Sequence, residues 1–210
     1  VASLLVVSDF AGPNEYMAGE VLNLAARQGI AFTPVESRRL SAASFTGKRA
    51  VLYVDQAPPA ADQLALIRAF VEAGGLLLAM KGTAALLGKL APSPENHPRF
   101  ELFPLGKGQI AVSRQEFDDP WMLARDAHLL MSRRWDSVRL FNGGSLLAYH
   151  ALAPGGRSSV VHLLNYACRP SANQVSLQVP SNTASARIHV PGVEGSVTAP
   201  ITRRDRRCEI

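Results

Sequence analysis

The chain has 210 residues, with 22 Lys and Arg against 17 Asp and Glu, a net charge of +5, and is 47% hydrophobic and 19% charged. This composition excludes disordered and fibrous classes and suits one large globular domain or two small ones. No apolar run approaches the ~20 residues that a membrane-spanning helix needs, so no membrane partner is expected.

The chain opens on "SLLVVS", Ser3–Ser8, a continuous apolar run of the kind that forms a strand buried on both faces. The turn "DFAGPNEY" follows, with Asn14 placed to cap a helix in which Met17, Val21 and Leu24 recur at helical spacing and Gly29 marks the stop. Ile30–Val35 reads as a second strand, and "RAVLYVD" as a third that ends at Asp55. Pro58 and Pro59 open a helix with the stripe Leu64, Ile67 and Val71, which Gly74-Gly75 terminates. Leu76–Met80 is the fourth strand, halted at Lys81-Gly82.

Ala91–Gly108 holds four prolines and reads as an irregular excursion. "GKGQIAVS" is expected to be a glycine turn feeding a fifth strand, and Asp118, Asp119 and Pro120 start a helix that ends with Arg133-Arg134. After Trp135 the texture becomes short β-like runs ("SLLAYHAL", "SSVVHLLNYA", "NQVSLQVP", "SARIHV", "GSVTAPIT", "RRCEI") punctuated by Gly, Pro, Asn and Ser. The predicted fold class is therefore α/β, a parallel sheet with flanking helices over residues 1–141, followed by a small all-β, sandwich-like domain over 142–210 with its boundary near Asn142–Gly144. Beginning inside a strand and ending at "RRDRRCEI", the chain reads as a fragment of a longer protein.

In parallel sheets, ligands bind beyond the carboxyl ends of the strands. Asp9, Asp55, Met80 and Lys81 stand there, and they form the candidate sheet-edge site. Converging Asp9 and Asp55 would make a metal site or an acid/base pair, although Asp at a strand end is also a common turn-former. Met80 cannot act as a nucleophile; Lys81 does so only if burial depresses its pKa.

The five histidines, His97, His128, His150, His162 and His189, show no metal spacing, and neither metal nor cofactor is expected. His150 and His162 fall on neighbouring strands and face one another only if the hairpin register allows it. Cys168 and Cys208 pair only if the fold brings them together. Trp121, Trp135, Tyr149 and Tyr166 are candidates for a sugar-stacking surface, although aromatics are more often core. The run Arg203, Arg204, Arg206 and Arg207 is broken by Asp205 and lacks interleaved aromatics, so no nucleic-acid partner is expected.

The stretch Arg49–Gly82, with "FVEAGG" at residues 70–75, resembles the class I glutamine amidotransferase-like fold, a flavodoxin-like sheet. It is most similar to the non-catalytic version called the trimerisation domain in bacterial β-galactosidases. Active amidotransferases carry G-x-C-x-G at the elbow; the matching positions here are Leu78-Ala79-Met80-Lys81-Gly82, so Met80 takes the nucleophile's slot. No His-Pro-Glu follows downstream. "SSVVHLLNYA" is similar to the C-terminal β-domain of multidomain glycoside hydrolases.

The resemblance implies a non-catalytic accessory region that serves oligomerisation, attached to a catalytic barrel in carbohydrate metabolism. A small hydrolase at the sheet edge and a carbohydrate-binding module remain the alternatives, so self-association and carbohydrate are the partners to test. Phe100, Leu102 and Phe103, set among few charges in the proline-rich excursion, are the candidate interface. The compartment is left open: bacterial cytoplasm, or a secreted or periplasmic location if an upstream part carries a signal.

Overall fold

The leucine and valine runs become the centre of a sheet. In the computed structural model, which describes residues 3–83, 88, 90–95, 97–116, 119–135, 138–141, 146–153, 155, 157–166, 175–204 and 207–210, β1 (Leu4–Ser8), β3 (Ala50–Tyr53) and β4 (Leu76–Ala79) are buried at every position. With β2 (Phe32–Glu36), β5 (Phe100–Leu105) and β6 (Gly108–Ser113) they form a six-stranded sheet in the order β2-β1-β3-β4-β6-β5. Every neighbouring pair is parallel except β5–β6. Strands buried on both faces cannot alternate polar and apolar residues, which is why their sequences read as continuous runs.

Helix α1 (Glu15–Arg27) buries Ala18, Val21 and Ala25, and α2 (Ala61–Glu72) buries Ile67 and Val71. Ile67 and Val71 lie in one core cluster with Leu5, Val7, Val51, Leu77, Ile110 and Val112. The inward residues of the opposite face, Leu4, Val6, Leu52 and Leu78 among them, are equally buried. Helix α3 (Pro120–Trp135) starts where expected, with the Asp119 carboxylate accepting the Trp121 amide at 2.9 Å.

Both edges of this sheet carry a proline, Pro34 in β2 and Pro104 in β5. Proline lacks the N–H that an interior strand must donate, so it is confined to such positions. The expectation of an irregular Ala91–Gly108 therefore fails over its second half: six of those residues are β5, paired antiparallel with β6 from Phe100↔Ser113 to Leu105↔Gly108.

The candidate interface is corrected with it. Phe100 is 0% exposed, and Leu102 and Phe103 are also buried. Phe103 joins the α2 core cluster, and the Phe100 ring packs edge-on to His97 with centroids 5.4 Å apart. Once the segment is a strand, its aromatics are consumed by this chain's own core and offer no surface.

The β5–β6 turn explains its glycines by close approach. The Lys107 amide donates to the Glu72 carbonyl at 2.9 Å and the Gln109 amide to the Gly75 carbonyl at 3.1 Å. A Cβ on Gly108 would stand 1.9 Å from the Val71 oxygen, so only glycine lets the hairpin lie against the end of α2.

The chain divides into two units, Val1–Ala26 with Ile30–His128, and Arg27–Gly29 with Leu129–Ile210. The second unit is antiparallel throughout its described strands. Its β7 (Arg139–Phe141), β10 (Ser176–Val179), β13 (Thr202–Arg204) and β14 (Arg207–Glu209) form one sheet in the order β13-β14-β10-β7. Strands β8 (Leu146–Leu152) and β9 (Ser159–Asn165) form a hairpin, and β11 (Arg187–Ile188) and β12 (Val197–Thr198) a short pair. The expected boundary at Asn142–Gly144 lies outside the described residues. The division falls earlier in the chain, and β7 pairs with β10 of the β region.

Candidate functional site

The carboxyl ends of β1 and β3 bring Asp9 and Asp55 together. β1 and β3 run side by side with Val7 opposite Tyr53, so the residues just beyond them meet. The Ser8 hydroxyl donates to one Asp55 oxygen at 2.5 Å, and the Asp9 amide donates to the other at 3.0 Å. Ser8 in turn accepts the Phe10 amide at 3.0 Å. Asp55 is 4% exposed, so its carboxylate lies inside the fold and is held by donors from the neighbouring strand end.

Asp9 is held differently. One of its oxygens accepts the Ala11 amide at 3.0 Å and the Asn14 side-chain amide at 3.2 Å. The Asn14 side-chain oxygen, Oδ1, accepts the Gln56 backbone amide at 3.3 Å, which ties the loop after β1 to the loop after β3. Asn14 was expected to cap α1; it closes a short 3-10 turn, Gly12–Asn14, and its side chain is spent on this longer-range bridge. Phe10 sits at φ +52, the left-handed region that a non-glycine residue enters only when its surroundings hold it there.

The electrostatics follow from this burial. Desolvation pushes the Asp55 carboxyl above its ordinary value; the Ser8 hydrogen bond opposes the shift, the Asp9 carboxylate adds to it, and the Asp9 amide opposes it. The Tyr53 phenol is raised as well, chiefly by burial and then by Asp55 and Asp9, and its hydroxyl donates to the Ala57 carbonyl at 3.1 Å.

Met80 and Lys81 are at the next strand end. Met80 is buried, its carbonyl accepting the Thr83 amide at 2.9 Å, and Lys81 is exposed. Among the described residues, no hydrogen bond or ion pair joins Lys81 to Asp9 or Asp55. Gly82 is packed against the β3 loop, where a Cβ would meet the Gln56 oxygen at 2.3 Å. The short helix-like stretch after Gly82 falls largely outside the described residues.

This arrangement can clamp two loops and hold a proton. It places a buried thioether, Met80, at the end of β4, and among the described residues the hydroxyl on the carboxylate, Ser8, is wholly buried. Sequence reasoning missed Ser8, Phe10 and Tyr53. The Ser-Asp pair spanning the end of β1 was the available signal.

Elsewhere, His150 and His162 do not face one another. The register sets Tyr149 opposite His162 and His150 opposite Val161, so the two imidazoles project from opposite faces of the hairpin. Among the described residues no three His, Cys, Asp or Glu side chains gather as a metal site, and no helix is long and apolar enough to cross a membrane. Cys168 lies outside the described residues. Cys208 is buried and donates to the Ser181 carbonyl at 3.3 Å. Arg203 of the basic run folds back onto the Ser181 and Thr183 carbonyls. Of the candidate stacking aromatics, Trp121, Tyr149 and Tyr166 are exposed.

No protein-family model matches the sequence, and no curated protein matches it. The fold does match solved structures over its whole length. Gan42B, a GH42 beta-galactosidase from G. stearothermophilus, superimposes with a TM-score of 0.56 at 10% identity, over 100% of this chain and 40% of that one. The beta-galactosidase from Bacillus circulans sp. alkalophilus gives a TM-score of 0.56 at 10% identity, over 99% of this chain and 41% of the other. The cold-adapted beta-galactosidase from Rahnella sp. R3 gives 0.55 at 14% identity, over 95% and 40%. This chain thus spans about two-fifths of the length of these proteins and has the fold of that part of them.

Proposed function

We propose that this chain is a non-catalytic accessory region of a multidomain glycoside-hydrolase-like protein, and that it supports self-association. The observation that carries the reading is the full-length likeness to a two-fifths portion of GH42 beta-galactosidases. The α/β unit is then an amidotransferase-like, flavodoxin-like sheet whose elbow has kept its shape without its chemistry. The buried Met80 thioether supports this, as does an Asp55 carboxylate already committed to Ser8 and Asp9.

Assembly needs a surface, and the β8–β9 hairpin supplies a better one than the corrected candidate in β5. Residues opposite one another in an antiparallel ladder share a face. Tyr149, His162, Leu147, Leu164, Ala151 and Val160 therefore lie together on one side of the hairpin. Tyr149 is 60% exposed, Leu164 62%, and Val160 is exposed too. Contiguous apolar exposure of this kind marks interaction surfaces, and a second copy of this chain is the occupant proposed.

Sedimentation velocity of the chain tests the assembly, with Leu164→Ser/Val160→Ser as the variant. The wild type is expected to self-associate and the variant to sediment as a smaller species with the same thermal transition. A wild type that stays monomeric at every concentration rules out the assembly role. Turnover of glutamine or a nitrophenyl β-galactoside, abolished by Lys81→Ala or Asp55→Asn, would establish the sheet-edge hydrolase instead.

A further inference from the structure

A recess lies away from the Asp9–Asp55 clamp, on the same carboxyl edge of the sheet but near its β5 border. The β5–β6 ladder continues one step past Phe100↔Ser113, with the Arg114 amide donating to the Arg99 carbonyl at 2.8 Å. This places two arginines directly opposite one another, an arrangement that costs stability in a sheet unless it is compensated. Pro98, Arg99, Arg114, Gln115 and Glu116, with Asp119 and Met122 from the start of α3, enclose about 350 Å³. That volume is at the lower end of the ~300–1,000 Å³ typical of small-molecule sites.

The charges in the recess are balanced. Arg99 makes a two-pronged ion pair with Asp126, which is wholly buried in α3. Arg114 spends its Nε on the His97 carbonyl at 3.3 Å and lies 3.9 Å from Glu101. The Glu116 and Asp119 carboxylates line the same space. A strong anion therefore meets no net positive field.

What the recess does offer is uncommitted, planar hydrogen-bonding groups. Among the described residues, Gln115 and Glu116 make no hydrogen bond or ion pair, Asp119 uses only one oxygen on the Trp121 amide, and Arg114, with Nε on the His97 carbonyl and Nη1 near Glu101, keeps Nη2 for a ligand. Guanidinium, carboxylate and carboxamide forks each present two donors or acceptors side by side, which matches the spacing of neighbouring hydroxyls. Pro98 and Met122 add apolar wall.

We propose that this recess binds a neutral saccharide, with Arg114, Gln115, Glu116 and Asp119 reading its hydroxyls. The proposal rests on the lining chemistry alone and does not need the accessory-region reading. A saccharide site is open to a monosaccharide or to the end of a longer chain, so both enter the test.

The test is a titration of the isotopically labelled chain with D-galactose, lactose and D-glucuronate, followed by amide NMR. Saturable millimolar shifts at the backbone of Arg114, Gln115, Glu116 and Met122 are expected with galactose or lactose. Glu116→Ala should weaken them about tenfold, equivalent to ~1.4 kcal/mol, the loss of one hydrogen bond to a charged group. Because Arg114 also holds Glu101 and the His97 carbonyl, Gln115→Ala serves as the second variant, and Asn23→Ala, on the exposed face of α1, as the control that leaves binding unchanged. Tighter shifts by galactose than lactose identify a monosaccharide site, and the reverse identifies a chain end. Glucuronate binding more tightly than either neutral sugar, or no saturable shift with any of them, overturns the proposal.

Discussion

Ser8 and Asp55, 47 positions apart in sequence, share a hydrogen bond of 2.5 Å at the carboxyl end of the sheet, and this contact holds a carboxylate out of water. Burial penalises the charged form of Asp55 more than Ser8 and the Asp9 amide relieve it, so its folded-state pKa stands above the unfolded one. The folded chain then binds the proton more tightly than the unfolded chain. Its contribution to stability is fully present below the unfolded pKa and is lost as pH rises through the folded pKa. Asp55→Asn should therefore raise the thermal midpoint at pH 7, and the gain should vanish as pH falls toward the ordinary carboxylate range. Thermal melts of both proteins across pH check this; a variant less stable than wild type at pH 7 would show that the Ser8 and Asp9 bonds outweigh desolvation.

Ser8→Ala should act in the opposite sense. It strips a donor from the buried Asp55 and an acceptor from the Phe10 amide. Leaving such groups unsatisfied costs about 1–3 kcal/mol each, so a loss of several degrees in the melting midpoint is expected. Denaturant unfolding at pH 7 measures it, and an unchanged midpoint would show that water replaces the hydroxyl.

Phe100→Ala is expected to cost about 3–5 kcal/mol, the range for deleting a buried aromatic ring. Its assembly state in light scattering should match wild type, because the ring faces the chain's own core. A variant with normal stability and a smaller assembly would return Phe100 to an interface.

Arg99→Ala should destabilise more than its own partial exposure implies. Among the described residues it leaves the wholly buried Asp126 carboxylate with only Arg125, at 3.7 Å, for compensation. Breaking one side of a buried ion pair costs about 3–5 kcal/mol, and the exposed flank of Arg99 brings the expected loss toward the lower end. The double change Arg99→Ala/Asp126→Leu should recover most of it. A double variant no more stable than the single one would show that the pair is not the cause.

Gly108→Ala tests packing instead of charge. The new Cβ would stand 1.9 Å from the Val71 oxygen, and backbone on both sides leaves it nowhere to go. Soluble expression should fall sharply, and Gly108→Ala protein with wild-type stability would mean that the hairpin can move off α2.

The parts of this fold that were legible in the sequence are those where burial on both faces leaves no alternative. "LLVVS", "AVLY" and "LLLA" read as buried strands with Asp9 and Asp55 just beyond two of them, but that Asp9 and Asp55 meet depends on β1 and β3 being neighbours, which no single segment shows. β5 was illegible because Pro98 and Pro104 imitate a loop, and an edge strand tolerates what a central one forbids. β7 and β13, at three residues each, are too short for a period to show. Asn14 was read by its neighbours in sequence, while its partners Asp9 and Gln56 come from two different loops. The recess beside Arg114 was illegible for another reason: Arg114, Gln115, Glu116 and Asp119 are close in sequence, but only the β5–β6 ladder sets Pro98 and Arg99 against them.

The prolines at the two borders of the six-stranded sheet carry a consequence for solubility. A flat apolar sheet with open borders is a template on which further chains can add strand by strand into fibrils. Pro34 and Pro104 each remove a donor from the border that such growth would use. Strand-by-strand addition at either border is thereby disfavoured.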